Sequence, residues 1–206
     1  MTDYQHIIVD SPLEGVSRIT LNRPDSRNAL NNVLRGEIYG TLEANDNDDA
    51  IRVTIIRGAG KAFCAGYDLK GNSDEDRPFH TAGGDGSWAR HVVEGAFRVW
   101  DLAKPVIAQV HGYCLAGGTE LATSCDLVYV ADDAKIGYPV VRSMSPPDNQ
   151  FFPWVVGMRN AMEMMLTGDA ISGTDAASYG FANRAFPVDD LEAEVMKVAA
   201  KIAKIP

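Results

Sequence analysis

The sequence predicts an α/β fold in which parallel strands alternate with helices. Short apolar, β-branched runs such as 105–110 alternate with longer segments whose apolar residues recur every three or four positions. Parallel strands need a long crossover connection, and a helix usually supplies it. With 206 residues, the chain has the length of one domain with a sizeable core, so we expect a single domain over residues 1–206.

Apolar periodicity and turn residues predict the order of the elements. The chain begins with a strand hairpin, because two strand-like runs flank a turn at 11–15. Residues 71–86 are polar and rich in glycine, without periodicity, and predict a mobile loop. The predicted strands are 7–9, 16–21, 52–57, 105–110 and 127–131, and the predicted helices are 30–42, 88–102, 151–166 and 189–203.

Composition and charge exclude several classes of protein. The chain has 19 Lys and Arg against 28 Asp and Glu, a net charge of −9, so we expect no binding to nucleic acid, which needs a basic face. Cys64, Cys114 and Cys125 lack disulfide or metal-ligand spacing, which favours a reduced, cytoplasmic setting and no metal. We see no signal-peptide pattern and no apolar run long enough for a bilayer, so we expect no membrane contact.

The most informative segment is Ile107–Leu127. A strand ends at Gly112, and Ala116–Gly118 then opens a short helix that contains Glu120. Small residues at a helix start allow a substrate to approach the backbone, and the free N–H groups there favour negative charge. Glu120 lies within one turn of that backbone. The segment therefore predicts stabilisation of an oxyanion beside an acid or base.

Four segments in a fixed order resemble the crotonase superfamily, which includes the enoyl-CoA hydratase/isomerase family. The first is the glycine-rich segment that contains Glu120, and the second, Lys61–Leu69, is similar to the family's F-x-A-G-x-D-L loop. Leu21–Leu30 resembles its N-R-P…N-A-L segment, and Leu166–Gly180 resembles its L-T-G…A…G segment. One glycine-rich match would be weak, but the ordered set covers nearly the whole chain.

The resemblance implies a fold, an assembly and a substrate class. The implied fold is a repeated ββα spiral, usually assembled as a homotrimer or a dimer of trimers. The implied substrate is an acyl-CoA thioester, so that coenzyme A is part of the substrate and no cofactor is permanently bound. Family members usually continue for several helical turns beyond the point corresponding to Pro206. Either this chain is naturally short, or its C-terminal helical part is absent.

The resemblance also assigns roles to particular residues. The backbone N–H groups of Ala65 and Gly117 match the oxyanion donors, and Glu120 matches one of two catalytic glutamates in the hydratases. The alternatives are that Ala65-Gly66 and Gly117-Gly118 form ordinary tight turns and that Glu120 is a solvated helix residue. The expected contacts of coenzyme A and the acyl chain are Asn28, Ala29, Leu30, Gly66, Asp68, Leu69, Tyr138 and Val140.

The chain departs from the family pattern at Val140. Hydratases have their second glutamate at this position, directly after a proline, and valine cannot transfer a proton. Hydration in the family holds one water between two carboxylates, and loss of one acid–base group should lower the rate by about 10²–10⁴. Isomerisation of an enoyl-CoA by a single glutamate is therefore easier to picture than hydration.

Asp148 is the second catalytic candidate. Family members that isomerise dienoyl-CoA use an aspartate from this loop, where Asp148 could be a base or a nucleophile. Alternatively, Asp148 belongs to a turn and caps the helix that begins near Phe151. Thioester hydrolysis, decarboxylation, slow hydration and a non-catalytic role in acyl-CoA binding or assembly remain alternatives.

Overall fold

The computed structural model describes residues 4–70, 77–144, 149 and 151–205. Within these residues the chain forms two β-sheets covered by α-helices. The strands are β1 (Ile7–Leu13), β2 (Val16–Leu21), β3 (Val53–Gly58), β4 (Ala62–Cys64), β5 (Val106–Val110), β6 (Tyr113–Leu115), β7 (Leu127–Ala131), β8 (Lys135–Gly137), β9 (Ala170–Ser172) and β10 (Arg184–Phe186). The helices are α1 (Asn32–Asp46), α2 (Ser87–Trp100), α3 (Gly117–Ser124), α4 (Phe152–Val155), α5 (Met158–Thr167), α6 (Gly173–Tyr179) and α7 (Val188–Ile202).

The larger sheet has six strands in the order β1-β2-β3-β5-β7-β10. The hairpin strands β1 and β2 are antiparallel, and every other neighbouring pair in this sheet is parallel. Its central strand β5 is buried along its whole length, as its apolar sequence predicts. The α/β class with parallel pairings is confirmed.

A smaller sheet has the order β4-β6-β8-β9, in which β4, β6 and β8 are parallel. In each of the pairs β3-β4, β5-β6 and β7-β8, the first strand lies in the larger sheet and the second in the smaller sheet. Helical structure follows each pair. This is the repeated ββα spiral that the resemblance implied. We did not predict the smaller sheet from periodicity, because strands of three residues are too short to show an alternation.

Helix α1 shows how local sequence and packing agree. The side chain of Asn31 accepts a hydrogen bond from the N–H of Leu34 at 2.8 Å and so caps the start of the helix. Leu34, Ile38 and Leu42 recur at helical spacing and are all buried in the apolar core. The helix therefore buries one face against the sheet strands.

Three predicted elements differ from the structure. The predicted turn 11–15 is shorter than expected, because β1 continues beyond the predicted strand 7–9 to Leu13, which pairs with Val16. The predicted helix 151–166 is two helices, α4 and α5, because Gly157 between them has a left-handed φ of 76°. The predicted mobile loop 71–86 lies partly outside the described residues, and its described part, 77–86, contains no helix or strand. We had not predicted α6, which begins with a capping box formed by Ser172 and Asp175.

His91 in α2 is fully buried. The hydroxyl of Thr81 donates to the carboxylate of Glu94 at 2.6 Å and lies 2.8 Å from Nδ1 of His91. Because the hydroxyl proton is used on Glu94, Nδ1 of His91 must be the donor to Thr81. Nε2 is then the unprotonated nitrogen, and it has no hydrogen-bond partner within the described ranges. Burial, and next the positive charge of Arg35, lower the pKa of His91 to about 4.

We predict that His91 makes the fold sensitive to acid. In the unfolded chain a histidine has a pKa of about 6.5, so between about pH 6.5 and 4 the unfolded state binds a proton that the folded state does not. The free energy of unfolding should fall through this window as the pH falls, by up to about 1.4 kcal/mol per pH unit. Urea unfolding at several pH values should show this slope, reduced in His91→Gln and retained in a variant of the exposed His80, His80→Gln. An unchanged slope in His91→Gln would contradict the prediction.

Candidate active site

Three strand ends of the smaller sheet meet at one edge. The segments that follow β4, β6 and β8 are 65–69, 116–120 and 138–142, and parallel neighbours bring their carboxyl ends together. A cleft of about 550 Å³ lies at this edge. Of the predicted site residues, those that line it are Ala65, Asp68, Leu69, Glu120, Tyr138 and Val140.

Glu120 lies in the first turn of α3 and is 3% exposed. The hydroxyl of Tyr67 donates to Glu120 Oε2 at 2.8 Å, and the hydroxyl of Tyr138 donates to Oε1 at 3.2 Å. Both carboxylate oxygens therefore accept a phenol hydrogen bond at the wall of the cleft, and Glu120 is not a solvated helix residue. Burial, and next the negative charge of Glu120, hold the pKa of Tyr67 well above its usual range, so this phenol stays a donor.

The turn after β4 lies directly against the start of α3. A Cβ atom on Gly117 would lie 2.6 Å from Cε2 of the Tyr67 ring, and one on Gly66 would lie 3.3 Å from the Gly117 nitrogen. Gly66 also has a left-handed φ of 104°. A side chain at position 117 would collide with the Tyr67 ring, and one at position 66 would be strained by the left-handed backbone. The two glycines therefore allow the close approach of the two backbones. The first N–H groups of a helix lack partners within the helix, which leaves the Gly117 N–H available to a ligand.

The backbone N–H of Ala65, which we predicted as an oxyanion donor, is already engaged. It donates to the carbonyl of Arg27 at 3.0 Å. Further along the same turn, the N–H of Asp68 donates to the carbonyl of Leu30, also at 3.0 Å. The N–H of Tyr67 lies between these two and has no acceptor in the described part of the chain. Tyr67 therefore fits the role of second donor better than Ala65.

Asn28 supports the site from outside the cleft. It is fully buried, has a left-handed φ of 57°, and its amide donates to the carbonyls of Ala59 and Ala62 at 2.9 and 2.8 Å. Its carbonyl oxygen accepts the N–H of Arg23 at 2.9 Å. These bonds engage the side chain of Asn28 within the fold. The N–H of the buried Leu30 donates to the carbonyl of Gly66 at 2.8 Å and so holds the turn after β4.

Asp68 and Leu69 lie near the mouth of the cleft. The carboxylate of Asp68 forms an ion pair with Arg23 at 2.8 Å and accepts the N–H of Lys70 at 2.9 Å. Burial raises the pKa of Asp68, but the Lys70 amide and the Arg23 guanidinium together hold it below its usual range. Ala29 joins the same network, because its carbonyl accepts a hydrogen bond from the Arg23 guanidinium. Leu69 is 73% exposed.

The cleft wall also contains Val140, in a 3-10 helix that spans Pro139–Arg142. The position that the resemblance matches to the second glutamate of the hydratases therefore presents an apolar side chain to the cleft. Asp148 lies outside the described residues. Its neighbour Asn149 is buried, and its side chain donates to the Thr119 hydroxyl at 3.0 Å and accepts the N–H of Phe151 at 3.2 Å. We had not singled out Asn149, although asparagine is a common residue before a helix.

Neither a metal-binding cluster nor a membrane-spanning helix occurs among the described residues. In residues 4–70, 77–144, 149 and 151–205, no cluster of three His, Cys, Asp or Glu side chains could hold a metal ion. Over the same residues, no helix is both long and apolar enough to cross a membrane.

A buried carboxylate beside free amides at a helix start, on a repeated ββα spiral, is the arrangement expected of the crotonase superfamily. Residues 12–206 match the family model described as enoyl-CoA hydratase/isomerase, and the chain belongs to this family. It is an enoyl-CoA hydratase/isomerase-like enzyme, as the sequence predicted.

Named relatives support this membership. The mitochondrial enoyl-CoA hydratase of Pongo abelii is 35% identical over 191 residues, which cover 91% of this chain and 63% of the relative. The crystal structure of an enoyl-CoA hydratase/isomerase from Xanthobacter autotrophicus Py2 is 37% identical with a TM-score of 0.85, over 99% of this chain and 75% of the other. The crystal structure of an enoyl-CoA hydratase from Mycobacterium smegmatis is 31% identical with a TM-score of 0.87, and the match covers 99% of this chain and 73% of the other.

We predict that Asn28 is required for stability. Asn28→Ala leaves buried backbone groups without partners and places alanine in a left-handed conformation, so it should lower the free energy of unfolding by about 3 kcal/mol. Asn28→Gly is the matched control, because it removes the same hydrogen bonds without the backbone strain and should be about 1 kcal/mol more stable than Asn28→Ala. Urea unfolding measures both. Weaker acyl-CoA binding at unchanged stability would instead indicate that Asn28 contacts the substrate.

Proposed function

We propose that this enzyme moves the double bond of an enoyl-CoA thioester, with Glu120 as the proton shuttle. The observation that supports this most directly is the pairing of a buried, hydrogen-bonded Glu120 with the apolar Val140 on the wall of the same cleft. One carboxylate suffices for isomerisation, because the proton removed at one carbon is returned at another. The acyl chain would lie along the apolar part of the cleft, beside Val140 and Tyr138.

The thioester carbonyl is proposed to accept hydrogen bonds from the N–H groups of Gly117 and Tyr67. Negative charge develops on this oxygen when a proton leaves the neighbouring carbon, and two converging donors stabilise that charge. Removal of one such donor typically lowers the rate by about 10²–10³. The positive end of the α3 dipole favours the same charge. The amide of Ala65, assigned to this role by resemblance, is engaged by Arg27 and is therefore replaced by Tyr67 in our proposal.

The proton steps follow from a single base. Glu120 takes a proton from C2 of a 3-enoyl-CoA, and the electron pair spreads over C2, C4 and the thioester oxygen as a dienolate. Glu120 then returns the proton to C4, which gives the conjugated 2-enoyl-CoA. Tyr67 and Tyr138 hold the two carboxylate oxygens in place during this sequence. No atom is gained or lost, so the reaction needs no second substrate.

Hydration is the second candidate function, because similar proteins such as that of Pongo abelii are named enoyl-CoA hydratases. In this case Glu120 would take a proton from water and deliver a proton to C2, while the Tyr138 hydroxyl held the water. The single carboxylate makes this the slower of the two reactions in our proposal. Asp148 as base or nucleophile, other acyl-CoA reactions and a non-catalytic acyl-CoA-binding role stay alternatives. The homotrimeric or hexameric assembly, the absence of nucleic-acid and membrane partners and the cytoplasmic location stay predictions.

The deciding experiment compares 3-hexenoyl-CoA with crotonyl-CoA. We predict that the purified protein converts 3-hexenoyl-CoA to a conjugated thioester, seen as a rise in absorbance, faster than it removes the conjugation of crotonyl-CoA. Glu120→Gln should lower kcat by about 10²–10⁴, because it keeps the shape of the side chain and removes its basicity. Thermal stabilisation by coenzyme A, retained in this variant, controls for folding and binding.

The other outcomes discriminate between the alternatives. Faster loss of conjugation from crotonyl-CoA would make the protein a hydratase that works with one glutamate. Binding of coenzyme A without turnover of either substrate would favour the non-catalytic role. Turnover that is unaffected by Glu120→Gln would contradict the shuttle and make Asp148 the next residue to replace.

A further inference from the structure

Arg35 is a buried cation with an incomplete set of hydrogen bonds. It lies in α1, is 1% exposed, and its Nη1 donates to the side chain of Asn32 at 3.2 Å. In the part of the chain that the structure describes, its Nε and Nη2 atoms have no hydrogen-bond partner. A buried guanidinium normally needs several partners, because removal from water is costly for a charge. Another interaction must therefore favour this position.

Aromatic rings surround the guanidinium. Its central carbon lies 5.8 Å from the ring centre of Tyr39, 5.6 Å from that of Tyr67 and 5.7 Å from that of Trp88. Cation–π attraction is strongest away from bulk water, and Arg35 is 1% exposed. Tyr67 is the same residue whose hydroxyl donates to Glu120 Oε2 at 2.8 Å. A contiguous series of contacts therefore joins Arg35 to the carboxylate through one tyrosine.

Packing holds this arrangement closed. A small cavity of about 10 Å³ is lined by Arg35, Tyr67 and Glu120 among other residues, so the cation and the carboxylate lie at the wall of the same cavity. Helix α2 passes directly over the guanidinium at Gly95, where a Cβ atom would lie 3.3 Å from Nη2 of Arg35 and 2.6 Å from the Tyr39 hydroxyl. The absence of a side chain at Gly95 therefore lets α2 cover the guanidinium closely on this side.

We propose that Arg35 is a positioning residue that acts on Glu120 through Tyr67. The guanidinium fixes the Tyr67 ring, polarises its hydroxyl as a donor, and thereby holds Glu120 in the orientation that proton transfer requires. Arg35 does not touch the substrate in this proposal, so it affects the chemical step more than binding. The inference rests on the proposed function, in which Glu120 is the acid and base.

The first test replaces the charge and keeps the length of the side chain. Arg35→Met should lower kcat for 3-hexenoyl-CoA by about tenfold to 10²-fold, with KM changed less than about threefold, because misplacement of a catalytic group mainly slows the chemical step. Arg35→Lys should recover part of the loss, since it retains the charge without the planar stacking surface. Arg98→Met is the matched control: Arg98 also stacks on an aromatic ring, that of Phe79 at 4.4 Å, and kcat should be unchanged.

A double-mutant cycle tests the route through Tyr67. Tyr67→Phe keeps the ring and removes the hydroxyl, so Arg35→Met should cause no further loss of kcat in the Tyr67→Phe background. Losses that multiply in the double variant would overturn the proposal, as would an equal loss in Arg98→Met or a loss confined to KM. Thermal unfolding of each variant with coenzyme A shows whether the variant is folded. If Arg35→Met is misfolded, Arg35→Lys replaces it in the cycle.

The outcome separates this inference from the proposed function. If Glu120→Gln abolishes turnover and Arg35→Met leaves kcat unchanged, this inference fails and the proposed function stands. If Glu120→Gln has no effect, or no acyl-CoA is converted, the proposed function fails and this inference fails with it.

Discussion

The close approach of two backbone segments, the turn after β4 and the start of α3, is the constraint on which the site depends. The approach is possible because side chains are absent at its contact points: a Cβ atom on Gly118 would lie 2.4 Å from the carbonyl oxygen of Cys64. It brings the start of α3, with Gly117, against the turn that contains Tyr67, and it places Glu120 at the wall of the cleft. A side chain at any of these glycines would therefore push the turn after β4 away from the start of α3.

Support for this approach comes from a part of the chain that lies outside the cleft. The buried amide of Asn28 holds the segment before β4 through the carbonyls of Ala59 and Ala62, and the backbone of Leu30 holds the turn after β4. The ion pair of Arg23 with Asp68 closes the same loop. The N-R-P…N-A-L segment thus mainly stabilises the backbone on both sides of β4, although it is far from the glycine-rich segment in sequence.

The sequence predicts the local features of the site and misses those that depend on long-range contacts. The glycine cluster and Glu120 are adjacent in the chain, so the sequence predicts their association. Which of the Ala65 and Tyr67 amides is the second oxyanion donor depends on the carbonyl of Arg27, which is distant in sequence. Arg35 gave no signal at all, because a charged helix residue usually faces solvent and its burial follows from the aromatic residues of other segments. The smaller sheet was missed because its strands are three residues long.

Val140, at the position that the resemblance matches to a glutamate, has a consequence for how such enzymes diversify. Our proposal assigns activation of the thioester to backbone amides. A substitution that changes a side chain does not remove these amides. Proton transfer is assigned to side chains on separate strand ends, so one substitution on one loop can delete or relocate it while the fold and the activation persist. Relatives with this architecture can therefore share the activation of the substrate and still differ in the reaction that follows it.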